Sequence, residues 1–450
     1  MSNVVVFMSD EHNPRFSSPY GHQDVVTPNL QRLADSGTVY ENAYCQSPLC
    51  LPSRSSFMSG RYVHETQTYS NCTVNLRSDL PSYGRVLAEQ GVHTAYIGKV
   101  DVYDKGEDLG FSEMILPGDR GWPGDTNHGR TPLSIRKGSA GRADGFGPRE
   151  DPFGGDLRRV DAAVEWLNHT APGLDRPWLL VVNTGKPHFA HYVTQELWDL
   201  YEGQGDLPAH GRECASANHP YARDLRDHFE TDHFSDEQIR GLRRGYLGCV
   251  TFVDRQVGRV MEALEESGLG GETNVVYTTD HGEMLGKFGM WWKCSLYEDS
   301  ARVPLIARGP DFGAGKRVNG PVQLLDLQAE LFRIFHADRP EEWRGTPLSD
   351  RAVDAEAVAF CEYHGHGTRS GAYMVRKDDW KLIYCMEAPH LLFNLREDPE
   401  ELENVHKAFP DIADELEAEL RRICDPEEEN RRAHEFEHEQ LQTVAAAGQK

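Results

Sequence analysis

Short apolar runs rich in β-branched residues alternate with amphipathic helical segments along most of the chain. The run from Val4 to Met8 is the first of these, and its length and composition predict a buried β-strand. Helices are predicted over 254–267 and after Thr27-Pro28, where an N-cap and a first helical position precede Gly37. Further strands are predicted at 93–97, 178–183, 274–278 and 303–307. The alternation predicts a largely parallel sheet covered by helices.

Two parts of the chain depart from this alternation of strands and helices. Residues 117–155 are rich in Gly, Pro, Arg and Asp without a sustained period, which predicts a long loop that is either functional or disordered. Beyond about residue 350, alternating runs predict short antiparallel strands at 373–375, 380–384 and 391–395, followed by a helix at about 409–423. The residues after 425 form a charged tail that is either an oligomer contact or disordered.

These elements together predict the α/β fold class and three parts of the chain. Residues 1–348 are expected to form an α/β domain with a large mixed, mainly parallel sheet sandwiched by helices. Residues 349–425 are expected to form a smaller C-terminal α+β subdomain with a short antiparallel sheet. Residues 426–450 are the charged tail.

Composition narrows the range of partners and compartments. The 450 residues are 38% hydrophobic and 26% charged, which is ordinary for a soluble enzyme. A formal charge of −25 argues against nucleic acid or an anionic membrane as a partner. No apolar window is long enough for a membrane span and no secretory signal is recognisable, so we expect a cytoplasmic protein. The nine scattered cysteines fit neither a disulfide framework nor a structural zinc site.

Acidic residues follow two of the predicted strands. Asp10 and Glu11 end the first strand, and Asp280 and His281 follow the strand at 274–278. Ligands of open α/β sheets bind beyond the carboxyl ends of strands. These residues therefore predict a divalent cation with oxygen ligands and His281 as a nitrogen ligand. The alternative is that each aspartate caps the following helix.

The run Cys50-Leu51-Pro52-Ser53-Arg54 is the most specific feature of the sequence. From residue chemistry alone, Cys50 beside Arg54 is either a thiol of low pKa or an inert buried cysteine. The run, with Ser59-Gly60 after it, resembles the signature of the sulfatase family, whose fold is alkaline-phosphatase-like. The resemblance implies that a formylglycine-generating or equivalent maturation enzyme converts Cys50 to formylglycine, whose hydrate is the nucleophile.

The resemblance to the sulfatase family extends over nearly the whole chain. It implies one divalent metal, with Ca²⁺ expected and Mn²⁺ or Mg²⁺ as alternatives. The implied ligands are Asp10, Cys50, Asp280 and His281, with Glu11 as a further candidate. The Asp280-His281-Gly282 form is similar to that of choline sulfatases. The cations that match family elements are Arg54, Lys99, His188 and Lys293. They would neutralise charge, and His188 or Lys293 would protonate the leaving oxygen. Outside these motifs, the lysines would be interpreted as solvated side chains and His188 as a structural histidine.

One position departs from the family pattern. The family usually has Gly-Lys-x-His, whereas this chain has Gly98-Lys99-Val100-Asp101. The resemblance implies that Asp101 replaces the histidine as the base that acts on the formylglycine hydrate. The same tetrad, together with Glu362-Tyr363-His364-Gly365, resembles the arylsulfatase K branch, the glucuronate-2-sulfatases. This similarity favours a small anionic substrate such as 2-sulfated glucuronate.

Several residues are candidates for binding such a substrate. They are Asn71, His64, His364, His366 and Arg369. Ordinary loop hydrogen bonds or a surface turn explain them about as well. The alternative activities are hydrolysis of choline sulfate, of an aryl sulfate, or of a phosphonate monoester or phosphodiester. A non-catalytic anion-binding protein is a further alternative, motivated by Asp101 alone.

Overall fold

The chain is described by a computed structural model of residues 2–102, 108–118, 120–136, 138–352, 354 and 356–448. Its strands, in chain order, are β1 (Asn3–Asp10), β2 (Thr38–Tyr44), β3 (His93–Lys99), β4 (Glu113–Gly118), β5 (Phe146–Pro148), β6 (Trp178–Pro187), β7 (His191–Val193), β8 (Thr273–Thr279), β9 (Arg302–Arg308), β10 (Lys316–Gln323), β11 (Val358–Tyr363), β12 (Ala372–Lys377), β13 (Trp380–Cys385) and β14 (Leu391–Asn394). Its α-helices are α1 (Pro28–Asp35), α2 (Cys50–Ser59), α3 (Val63–Thr66), α4 (Tyr83–Glu89), α5 (Gly154–Glu165), α6 (Gln195–Leu200), α7 (Pro220–Phe229), α8 (Asp236–Glu266), α9 (Glu298–Ala301), α10 (Leu324–Ile334), α11 (Leu348–Arg351), α12 (Pro410–Ile423) and α13 (Pro426–Ala447).

The main sheet has eight strands in the order β10-β2-β9-β8-β1-β6-β3-β4. Strand β1 pairs in parallel with β6 and β8, whereas β9 runs antiparallel to both of its neighbours. Side chains of α1, α5 and α8 cover one face of the sheet, and those of α2, α4 and α10 cover the other. The predicted fold class, a mixed and mainly parallel sheet between helices, is confirmed.

The second sheet is antiparallel, in the order β11-β12-β13-β14, and α12 packs against one of its faces. The three predicted strands lie within or next to β12, β13 and β14, whereas the sequence interpretation missed β11. The buried Lys381 of β13 holds this sheet to the rest of the protein, because its Nζ lies 2.9 Å from Glu298 Oε1 and 2.8 Å from Glu401 Oε1.

The structure corrects two predictions about helices. Thr27 occupies the N-cap position of α1 without capping it, and the Asp254 carboxylate accepts instead from the backbone N–H of Leu30 at 2.7 Å. The helix predicted at 254–267 is the second half of the 31-residue α8. Its first half was missed because glycines replace large apolar residues there: a Cβ on Gly241 would lie 2.1 Å from the Phe146 ring.

The long loop predicted at 117–155 also proves partly regular, since β4, β5 and the start of α5 fall within it. The charged tail forms α13, which packs against the loops that border the catalytic centre. Arg130 Nε lies 2.9 Å from Glu437 Oε2, and Gln440 Nε2 donates to the Val74 carbonyl. None of the helices in the described part of the chain is both long and apolar enough to cross a membrane.

Candidate active site

Cys50 lies at the first position of α2, beside the carboxyl ends of β1 and β8. The helix is buried along its whole length, and its start is fixed by two hydrogen bonds. The Leu51 N–H donates to Asn71 Oδ1 at 3.0 Å, and Ser53 Oγ donates to the Asp280 carbonyl at 2.7 Å. The positive end of the helix dipole therefore points at position 50, where it favours negative charge on a nucleophile.

The side chains of Asp10, Cys50, Asp280 and His281 form a buried group of four donors whose ligand atoms all lie within 4.8 Å of one another. Residues Ser9 and Thr279 are register partners in β1 and β8, so the two aspartates that follow them end adjacent parallel strands. His281 Nε2 lies 3.3 Å from Cys50 Sγ and 3.8 Å from Asp10 Oδ1.

The chemistry of this group fits a divalent cation. His281 Nδ1 is 3.0 Å from the Gly282 carbonyl, which assigns a proton to Nδ1 and directs Nε2 at the group. Although burial lowers the pKa of His281, the negative charges of Asp280 and Cys50 raise it to about 10, so a cation that binds at Nε2 would displace a proton from it. Excess negative charge is thus concentrated where a cation would lie, and the two carboxylates supply the hard oxygen donors that Ca²⁺ and Mg²⁺ prefer.

Glu11 is not one of these four donors, but it belongs to a second group of potential metal ligands that also contains Asp10 and His188. Its Oε2 lies 2.9 Å from Lys293 Nζ and 3.2 Å from His188 Nε2. Burial raises the pKa of Glu11 to about 8 against the lowering effect of His188 and Lys293. The role of Glu11 as a metal ligand stays a prediction, and its contacts favour a role in holding Lys293.

Arg54 and Lys99 surround the acidic group with positive charge. Arg54 Nε donates to Asp280 Oδ2 at 2.7 Å and Nη1 donates to Asn183 Oδ1 at 3.0 Å, while Lys99 Nζ donates to Asp10. Burial raises the pKa of the Cys50 thiol, but Lys293 and Lys99 outweigh this effect and hold the pKa well below its usual range. Lys293 and Lys99 therefore favour the negatively charged form of a nucleophile at position 50.

Lys293 and His188 form a contact suited to proton transfer. Lys293 Nζ lies 2.6 Å from His188 Nε2, and His188 Nδ1 lies 2.6 Å from the Phe189 carbonyl. The carbonyl can only accept, so Nδ1 carries a proton and Nε2 accepts from the lysine ammonium. The proton that faces the cavity is thus held by Lys293, with His188 next to it.

Asp101 is bound by a guanidinium that sequence reasoning missed. Arg120 Nε and Nη2 donate to the two carboxylate oxygens of Asp101 at 3.0 and 2.8 Å, and Lys99 Nζ lies 3.5 Å away. Burial raises the pKa of Asp101, but Arg120 and Lys99 lower it well below its usual range. A bidentate ion pair of this kind weakens a base, so the environment of Asp101 does not favour the predicted role.

The structure separates the five predicted substrate-binding residues. Asn71 and His366 line the cavity above Lys293. His64 and His364 instead bind the two oxygens of buried Glu362, each at 2.8 Å, and do not line this cavity. Arg369 pairs with Asp224 at the surface, with 48% of its side chain exposed.

The cavity has a volume of about 210 Å³ and contains cations from the segment interpreted as a loop. Its lining includes His188, Lys293, Arg120, Arg136 and Arg142. The arginine-rich composition of 117–155 was the only signal for the last three. Cations above a nucleophile position and a candidate cation site serve the hydrolysis of a negatively charged ester. Fold and site thus define a hydrolase of ester anions.

Comparison with known proteins identifies the family. A family model described as "Sulfatase" matches residues 2–337, and one described as "N-sulphoglucosamine sulphohydrolase, C-terminal" matches residues 286–425. The chain belongs to the sulfatase family and is a sulfuric ester hydrolase. Membership implies a divalent metal and a formylglycine, for which Asp10, Cys50, Asp280 and His281 are the candidate site.

Individual relatives resemble the chain over most of its length. Arylsulfatase K of Danio rerio is 29% identical over 472 residues, with 98% of this chain and 87% of the relative covered. Choline-sulfatase of Rhizobium meliloti is 29% identical, with 90% and 82% covered. The solved structure of the phosphonate monoester hydrolase of Agrobacterium radiobacter has the same fold, with a TM-score of 0.76, 22% identity and coverage of 94% and 95%.

Proposed function

We propose that this sulfatase hydrolyses a small sulfated sugar acid, such as 2-sulfated glucuronate, to the free sugar acid and inorganic sulfate. The observation that carries this proposal is the cation-lined cavity of about 210 Å³. Pockets for drug-sized ligands occupy roughly 300–1,000 Å³, so this one suits a smaller molecule. Similarity to arylsulfatase K along 98% of the chain supports the same substrate class.

Each residue of the candidate site would have a separate function in hydrolysis. Asp10, Asp280, His281 and position 50 would hold the divalent cation, which when bound offsets negative charge at the nucleophile that formylglycine provides. Arg54 fixes the orientation of Asp280 through the 2.7 Å hydrogen bond. Lys99 adds positive charge on the side of Asp10. Lys293 would donate a proton to the leaving oxygen, and the His188 imidazole beside it would stabilise the neutral amine that remains.

A substitution of Asp101 tests whether this residue acts as a general base. We expect Asp101→Asn to lower kcat less than about tenfold, because the bound Arg120 already makes Asp101 a poor base, whereas loss of a general base costs about 10²–10⁴-fold. The measurement is kcat at saturating aryl sulfate. The conservative variant Asp101→Glu is the control for disturbed packing. A fall in kcat beyond 100-fold in the Asn variant, with activity retained in the Glu variant, would restore the base role.

Similarity to the choline-sulfatase of Rhizobium meliloti makes choline sulfate the alternative substrate. Its quaternary ammonium would enter a cavity that presents Arg120, Arg136 and Arg142. Like charges in a partly buried site repel, and the cavity contains one carboxylate, Asp125, which is already paired with Arg136. The charges of the cavity therefore favour an anionic substrate over choline sulfate.

A substrate panel tests the proposed function directly. We expect kcat/KM for 2-sulfoglucuronate to exceed that for choline sulfate by at least about 100-fold, the effect of two or more charge-assisted hydrogen bonds. Aryl sulfate, an aryl phosphonate monoester and a phosphodiester complete the panel, with Cys50→Ala protein as the background. Choline sulfate turned over faster than the uronate would refute the substrate class, and a preference for the phosphonate would favour the other hydrolases of the superfamily.

A further inference from the structure

Arg142 differs from the other cations that line the cavity. Lys293 pairs with Glu11 at 2.9 Å, Arg120 pairs with Asp101, and Arg136 pairs with Asp125. Arg142 has no ion pair with any carboxylate in the part of the chain that the structure describes. Its side-chain N–H groups likewise make no hydrogen bond to the described residues. The half-buried guanidinium of Arg142 lines the cavity, and none of the described residues accepts a hydrogen bond from it. Its N–H groups can therefore donate to a ligand.

Aromatic rings hold the Arg142 guanidinium in place. Its Cζ lies 4.7 Å from the ring centre of Phe189, 5.8 Å from that of Phe229 and 5.9 Å from that of Trp292. Rings contact the face of a guanidinium and leave its in-plane N–H groups available. Burial and the nearby Arg136 lower the pKa of Arg142 to about 10, although Asp125 and Glu11 raise it. The group therefore remains charged at neutral pH, and none of the described carboxylates is in ion-pair contact with it.

The position of Arg142 relates it to the catalytic centre. Lys293 Nζ lies 4.8 Å from the same Phe189 ring, and the His188 ring stacks on it with centroids 4.1 Å apart. One aromatic ring thus separates the proton-donating pair from the unpaired guanidinium. Lys293 and Arg142 line the same cavity, so one small ligand can contact both.

We infer that Arg142 forms a second anion subsite, which binds a carboxylate of the substrate while the sulfate ester lies at Cys50. This inference rests on the proposed function and extends it by naming the residue that recognises the acid group. The planar fork of arginine matches a carboxylate in a bidentate geometry. Arg142 is then a specificity-determining residue, and neutral sulfate esters do not use it.

The test compares two aryl sulfates that differ by a single carboxylate on the ring, in the full-length matured protein. We expect Arg142→Met to raise KM for the carboxylated ester about 10- to 100-fold, the effect of losing a charge-assisted hydrogen bond, and to change KM for the neutral ester less than threefold. Arg142→Lys keeps the charge without the fork and should fall between the two. Free glucuronate should inhibit the parent more strongly than the Met variant.

Arg149 offers a matched control, because its guanidinium stacks on Tyr192 at 3.4 Å and does not line the cavity. Arg149→Met should leave both KM values unchanged, and thermal unfolding should confirm that both Met variants fold. Equal changes for the two esters, or no change for either, would overturn the inference. A chain that discriminates the two esters through Arg142 but does not hydrolyse 2-sulfoglucuronate would retain the subsite and refute the proposed sugar acid.

Discussion

Replacing Cys50 with alanine should lower sulfate ester turnover by at least about 10⁴-fold, since removal of a hydrolase nucleophile costs about that much or more. Position 50 combines the helix N-terminus, the four-donor group and the field of Lys99 and Lys293. These features stabilise charge, and none of them replaces the reacting atom. We therefore expect KM for aryl sulfate to remain within an order of magnitude while kcat falls to the background rate.

The assay must separate loss of the residue from incomplete maturation. Mass spectrometry of the peptide that spans 50–54 gives the formylglycine fraction, and the parent rate should rise in proportion to it. Cys249→Ala is the matched control, because Cys249 is equally buried and lies in α8, outside the four-donor group. An alanine variant at position 50 with a rate within tenfold of the parent would contradict the assignment. So would parent activity that does not depend on the formylglycine fraction.

The convergence of the acidic strand ends was predictable from sequence because parallel strands impose it. Asp10 and Asp280 each follow a short apolar run, and parallel neighbours bring their carboxyl ends to one edge of the sheet. The nucleophile position at Cys50 was likewise marked by a local run of residues, although the helix that begins there was not predicted. Features of this kind can be recognised from sequence because they depend on residues that are close together in the chain.

The cavity was not predictable in the same way. Arg120, Arg136 and Arg142 lie in a segment without periodicity, and their functions depend on partners far away in sequence, such as Trp292 and Asp101. The pairing of His64 with His364 through Glu362 has the same origin, since the carboxylate is an inward-facing residue of a β-strand. Tertiary contacts decide which charged residues are paired and which are available, and a single sequence does not record them.

The net charge of −25 and an anionic substrate are compatible for the same reason. Many acidic residues are exposed at the protein surface, where salt screens their charges over about 10 Å. The cations near position 50 are buried, and their field is screened much less. A substrate anion that reaches the cavity therefore experiences Lys99, Lys293 and Arg142 rather than the average charge of the protein.

Asp280→Asn should both abolish metal-dependent activity and destabilise the protein. The Asp280 carboxylate belongs to the four-donor group, and its Oδ2 also accepts a 2.7 Å hydrogen bond from Arg54 Nε. Arg54 is only 3% exposed. Removing one partner of a buried ion pair costs about 3–5 kcal/mol, because the remaining charge is left uncompensated. Urea unfolding should show this loss, and Ca²⁺ should no longer raise the unfolding midpoint. In the parent, Ca²⁺ at 100 times its Kd should stabilise the fold by about 2.7 kcal/mol.

A double variant separates the two effects of Asp280. Arg54→Met in the Asp280→Asn background removes the uncompensated cation, so we expect it to recover about 1–4 kcal/mol of the lost stability, as buried pairs replaced by apolar groups do. It should recover neither calcium-dependent stabilisation nor turnover, because the negative charge of the Asp280 carboxylate and the guanidinium of Arg54 are both absent. Removal of calcium from the parent protein with a chelator should reproduce the loss of activity of the double variant. The ion pair between Asp280 and Arg54 stays intact in that experiment. Calcium-dependent stabilisation that persists in the double variant would mean that Asp280 serves Arg54 alone and that the cation lies elsewhere.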